Sequence, residues 1–173
     1  MFSIGASKNK GETKETKPFI HQVRFHGPQG EVVRAWANIN DSAMKEVMSA
    51  TMFNKVKHRL GMPLPLSQLL QIANGAIIQS EARWEVNVEV NGVSVGVAFE
   101  VFNSAGKWDV LFGKTLLKAF KATHNYELDK VTIQRNGGKA TLYNQVLVRS
   151  HLEPQPQCLN HQRHHELWSL QEF

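Results

Sequence analysis

The sequence holds a single cysteine, Cys158, among its 173 residues. One thiol excludes an internal disulfide and points to a reducing compartment, so the expected setting is intracellular, cytoplasmic or nuclear. No window approaches the roughly 20 consecutive apolar residues that a bilayer span requires, and no membrane role is expected. The opening MFSIGASKNKGETKETK lacks the apolar stretch of a secretory signal. Self-similarity at a period of roughly 20 to 50 residues, the mark of solenoids and propellers, is also missing. What remains is an ordinary globular balance of 42% hydrophobic and 20% charged residues. A chain of this length suits one domain, which would bury roughly 70% of its unfolded surface.

The formal net charge of +5 raises the question of nucleic acid, since clustered Lys and Arg bind phosphates by releasing counterions. The basic residues gather at Lys55, Lys57 and Arg59, with Arg34 upstream, and at Lys114, Lys118 and Lys121. Both groups read as solvated helix faces. Surface aromatics interleaved with the cations, on which bases would stack, are lacking, so nucleic acid is not an expected partner.

Residues 1–18 are polar and without hydrophobic period, and read as a mobile tail. A β-rich domain is expected over 19–147, and an appended tail over 148–173. FIHQVRFHGPQGEVVRAWANI has two β-rich runs around the turn residues Gly27-Pro28-Gln29-Gly30, a hairpin leading into Asn40. Met52, Phe53, Val56 and Leu60 then share one helical face. Ser49 suits the N-cap and Gly61 the left-handed stop, which predicts a helix over 50–59. Asn74-Gly75 between apolar runs predicts a tight hairpin with positive φ at both turn residues.

Trp84, Val86, Val88 and Val90 alternate with polar residues, Asn91-Gly92 turns the chain, and Val93 to Val101 resume the alternation. Gly96 weakens that second strand and marks a bulge or a close backbone contact. Val110-Leu111-Phe112 is a short buried strand ending at Gly113, followed by a two-turn helix with Leu116, Leu117 and Phe120 as its stripe. A last hairpin turns at Asn136-Gly137-Gly138. The fold class expected is all-β with two short helices.

In the tail, Cys158, His161, His164 and His165 have ligand chemistry, but no second cluster completes a zinc site. No metal and no cofactor are expected. Asp109 reads as a strand-edge turn residue or a dimer contact, Trp84 and Trp108 as core or rim aromatics, and His58 and His124 as capping or surface groups.

Three segments in order, AWANINDSAM, QIANGAII and DVLFGKTLL, carry a resemblance. They resemble the active-site turn, the flap hairpin and the apolar-apolar-Gly element of a retropepsin monomer, over about residues 19–146. The wider wording, AMKEVMSATMFNKVKHRLG and FEVFNSAGKWDVLFGKTLLKAF, is most similar to retropepsin-like domains of fungal retroelements. The resemblance implies a closed β-barrel forming half of a dimeric aspartic protease. It also implies a second copy of the chain as partner, an extended polypeptide as ligand, Ala73, Asn74 and Gly75 as flap tip, and Gly113 as a structural glycine.

Aspartic-protease chemistry needs two facing carboxylates that share one proton, one acting as base on water and the other as acid. One chain with one such turn needs a two-fold partner to supply the second. Anchored on Ala43-Met44 and the helix beyond, the family aspartate falls on Asn40, the Thr/Ser position on Asp41 and the glycine position on Ser42. An amide cannot take up the proton of water. A shift of one residue instead sets Asp41-Ser42-Ala43 in place of Asp-Ser-Gly, at the cost of the helix spacing and of strand facing. The expected function is a retropepsin-like aspartic endopeptidase domain of retroelement descent with a degenerate turn. The alternative is an inactive module that dimerises or holds peptides.

Overall fold

The computed structural model describes residues 16–152 and 171–172. Strands β1 (Phe19–His26) and β2 (Val32–Ile39) form the first hairpin, in register from Phe19↔Ile39 to His26↔Val32. β3 (Val47–Ser49) leads directly into α1 (Ala50–Leu60). β4 (Leu69–Gln71) and β5 (Ile77–Gln79) pair as a short hairpin. The long hairpin of β6 (Ala82–Val90) and β7 (Val93–Phe102) follows, and then β8 (Val110–Phe112) and α2 (Lys114–Ala119). β9 (Thr123–Asn125), β10 (Lys130–Arg135) and β11 (Gly138–Tyr143) make a three-stranded sheet. α3 (Val146–Leu152) and β12 (Gln171–Glu172) complete the described chain.

Six strands close a barrel in the order β1-β2-β8-β3-β7-β6, with β1 returning to β6. Closure leaves the barrel without free edges. The three-residue β8 is the keystone: it runs parallel to β2 and antiparallel to β3. All three of its residues are buried, as expected of a strand covered on both faces. Its side chains alternate between two cores. Val110 and Phe112 enter the barrel interior, while Leu111 enters a second cluster with Ala43, Val47, Leu70, Ile72, Phe102 and Trp108. β3 divides likewise, Met48 to the first and Val47 to the second.

Inside the barrel, Phe25 meets Phe99 edge-on at 5.6 Å, and Phe53 of α1 meets Trp84 at 5.7 Å. Such pairs add roughly 0.5–1.5 kcal/mol each beyond the area they bury. Trp84 and Trp108 are both core residues. Val131, Ile133 and Leu142 extend the same core from the β9–β11 sheet. Asn144 then ties this sheet back to the first strand, its Oδ1 accepting from the Ile20 amide at 3.0 Å and its Nδ2 donating to the Pro18 carbonyl.

Several turns follow the sequence and others do not. Asn91-Gly92 has φ of 46° and 83°, and Asn136-Gly137 has 49° and 81°, the doubly positive pair of a two-residue hairpin loop. At Asn74-Gly75 only the glycine is positive. The pairing there ends at Gln71↔Ile77, so the loop is longer than two residues. Gly75 N donates to Ile72 O at 2.8 Å and Ile72 N to Ala76 O at 3.0 Å. The first hairpin repeats this pattern, with Gly30 N donating to Gly27 O and Gly27 N to Glu31 O.

Other departures concern helices and glycines. Ser49 does cap α1, its hydroxyl accepting from Met52 N at 3.1 Å. Gly61 ends that helix at the expected positive φ of 99°, but its ψ of 171° lies outside the αL well. Gly96 interrupts no pairing, since the register runs unbroken through Asn87↔Gly96, so it marks no bulge. The tight neighbour there is a side-chain oxygen of Asn87. The helices number three rather than two among the described residues, and α3 carries helical structure past residue 147 to Leu152. β12 pairs with β4, Gln171 opposite Gln71. The expected mobile N-terminal tail, up to residue 15, lies outside the described residues, as do Cys158, His161, His164 and His165. No described helix is long and apolar enough to cross a membrane.

Candidate functional site: the turn at Asn40 and the β4–β5 hairpin

The chain leaves β2 at Ile39 and must reverse before β3 begins at Val47. Asn40 starts the reversal: its amide donates to Phe112 O at 3.0 Å and its carbonyl accepts from Ala43 N at 3.2 Å. Its side-chain Oδ1 accepts from the Ser42 amide at 2.9 Å, an Asx turn that substitutes side chain for backbone. Ala43 is fully buried in the second core cluster. Asp41 and Ser42 are exposed.

The second half of the turn is clamped onto the β8–α2 junction. Ala43 O accepts from Lys114 N at 2.7 Å, and Met44 O from the Thr115 hydroxyl at 3.1 Å. Glu46, only 3% exposed, accepts from the Leu116 amide through its carboxylate and from the Glu100 amide through its backbone carbonyl. Leu116 N belongs to the first turn of α2, where amide hydrogens have no partner within the helix. Glu46 therefore caps a helix from 70 residues away in sequence. Burial raises its pKa above the ordinary glutamate value, opposed by backbone hydrogen bonds including that of Leu116 and by the charge of Lys45.

Gly113 shows why no side chain fits here. A Cβ at that position would lie 2.4 Å from Lys45 O and 2.6 Å from its carbonyl carbon. Its φ of −90° is open to any residue, so the requirement is room rather than conformation.

Ala73, Asn74 and Gly75, the residues expected at a flap tip, stand exposed at the tip of the β4–β5 hairpin. Asn74 Oδ1 accepts from the Ala76 amide at 2.9 Å, which fixes the tip from within. The hairpin and the Asn40 turn meet at their bases, where Leu70 and Ile72 share a core cluster with Ala43. Leu69 and Ile77, each 55% exposed, remain on the outer face of the hairpin.

Asn40 and Asp41 thus have different surroundings. Asn40 folds its side chain into its own turn, whereas the Asp41 carboxylate accepts a hydrogen bond from the Tyr126 hydroxyl, beside α2 and β9. Asp109 accepts from Ser49 N through its carbonyl and faces Arg149 of α3 at 3.9 Å, a strand-edge role. His58 is exposed in the last turn of α1. His124 stacks under Tyr126 at 4.1 Å. Glu46 and Tyr126 were not legible as site residues, because each acts on a partner about 70 or more positions away. Among the described residues no group of three or more His, Cys, Asp or Glu could hold a metal.

No protein-family model and no curated protein matches the chain. Among solved structures it is similar to the retroviral protease-like domain of Ddi1 from Leishmania major. The likeness covers 76% of this chain and 98% of that one, at 15% identity and a TM-score of 0.48.

Proposed function

We propose that this chain is a retropepsin-like module of retroelement descent that has kept the shape of its active-site turn and lost its acid. The order of turn, flap hairpin and apolar-apolar-Gly element supports the family reading. One observation carries the functional one. The turn retains its full bracing, with Gly113 against Lys45 and Glu46 on Leu116, while the first turn position holds Asn40, whose amide is engaged with Ser42. Such a scaffold can present a flap and a floor to an extended peptide without cycling protons. A second copy across a two-fold axis would complete the cleft.

The second reading is a working aspartic endopeptidase that uses Asp41. Asp41 is the turn's sole carboxylate at the exposed end, which favours it, but its hydrogen bond from Tyr126 turns it toward α2. Three chains separate the readings: the native one, Asp41→Asn, and the double variant Asn40→Asp, Ser42→Gly. Each is incubated with a mixed peptide library at about pH 4.5, where a carboxylate pair holds a single proton. Cleavage by the double variant alone is the expected result. Inhibitor-sensitive cleavage by the native chain, lost in Asp41→Asn, would make it an enzyme and overturn the inactive reading.

A further inference from the structure

Behind the turn lies a cavity of about 660 Å³, a size that suits a small organic ligand. Three lysines line it, Lys114, Lys118 and Lys121. Their spacing of four and then three residues sets them along one face of α2 and its exit. Among the described residues no carboxylate pairs with any of the three ammonium groups. The one carboxylate in the lining, Asp41, is already engaged by Tyr126. Three cations against one anion around a concave, partly apolar wall of Ile39, Leu117 and Val131 concentrate positive potential in the opening.

His124 also lines the cavity. The ring is held between Tyr126, stacked at 4.1 Å, and Phe19, edge-on at 5.3 Å.

We propose that this cavity binds a small organic phosphate. The dianionic head sits among Lys114, Lys118 and Lys121 and leaves its apolar body over Ile39 and Leu117. Lysines act as point charges toward phosphate, so three of them match a dianion with three acceptor oxygens. A simple carboxylate would leave most of this charge unanswered. The site uses no flap residue and stands whether or not the chain cleaves peptides.

The test is a titration of the full chain with phenyl phosphate and with inorganic phosphate at about 0.15 M salt, where long-range attraction is screened. Calorimetry reads affinity, and the NMR signals of the His124 ring report on the site. Saturable binding that shifts His124, tighter for phenyl phosphate than for inorganic phosphate, is expected. Lys118→Gln with Lys121→Gln should weaken it at least tenfold, and Lys55→Gln with Lys57→Gln on α1 should leave it unchanged. Equal weakening in both variants, or no saturation, would reduce the effect to bulk charge and overturn the proposal. A changed sedimentation coefficient in the first variant, without any phosphate-dependent shift of His124, would make the cavity an interface between copies and overturn it equally.

Discussion

Gly113 and Lys45 pack backbone against backbone, so closely that a single methyl group on Gly113 would overlap the Lys45 carbonyl. The contact joins the end of β8 to the turn that carries Asn40, and neither neighbour is a flexible side-chain end that could yield.

Gly113→Ala should therefore destabilise the fold by roughly 2–3 kcal/mol, the upper range for overpacking. Urea unfolding checks this as a lower midpoint at unchanged slope. A loss under about 0.5 kcal/mol would mean that the turn gives way, and that its bracing is softer than the contact implies.

Glu46 should give the protein a distinctive pH response. Its folded pKa lies above the reference 4.5, so the folded state holds the proton more tightly than the unfolded chain. Stability from this group is full below the unfolded pKa and declines as pH rises from about 4.5 to the folded value. Glu46→Gln should abolish that decline while keeping an acceptor for Leu116 N. Glu46→Ala should cost roughly 1–3 kcal/mol by leaving that amide unpaired. Unfolding curves for the three chains between pH 4 and 8 check both statements (roughly the window in which carboxylates and histidines change charge).

His21 has the opposite sign. It is 4% exposed, and burial lowers its pKa below 6.5, against the hydrogen bond between its Nδ1 and Gln22 O. The unfolded chain then binds the proton more readily, so stability is complete above pH 6.5 and is lost as pH falls toward the folded pKa. His21→Phe should flatten the melting temperature across this window. A native chain whose melting temperature stays level down to about pH 5 would contradict the burial of this ring.

The two kinds of Asn-Gly turn should respond differently to alanine. Gly92→Ala puts a Cβ at φ 83° in a two-residue loop and should cost roughly 1–2 kcal/mol. Asn74→Ala needs no unusual backbone angle and loses one exposed hydrogen bond to Ala76 N, a cost below about 1 kcal/mol. Thermal unfolding of the two variants side by side should rank them in that order.

The strands were legible because their period-2 alternation is local: the register from Ala82↔Val101 to Val90↔Val93 follows from the positions of the valines and one Asn-Gly. Asn74-Gly75 looked the same in sequence, but Ile72 pairs with Ala76 across a longer loop, and Asn74 escapes positive φ. α3 crosses the boundary expected at residue 147, and Asn144 Oδ1 accepts from Val146 N as the helix begins. The candidate site was legible only in outline. The order along the chain put Asn40 in a turn after β2, Gly113 at the end of β8 and Asn74-Gly75 at a hairpin tip. The acceptor that Glu46 offers to Leu116, and the pairing of Asp41 with Tyr126, exist only once distant segments meet.

The keystone position of β8 also sets an order of events during synthesis. The turn at Asn40 donates its backbone hydrogen bond to the Phe112 carbonyl and is braced by Gly113, more than 70 residues downstream. At roughly 5–20 residues per second, a ribosome needs several seconds to deliver that segment after Asn40 has emerged. Until then the first hairpin, α1 and the β4–β5 hairpin can form, but β2 and β3 have an empty lane between them. Nascent chains stalled before residue 110 should expose that gap to chaperones or to strands of a neighbouring chain, and those stalled well beyond Gly113 should not.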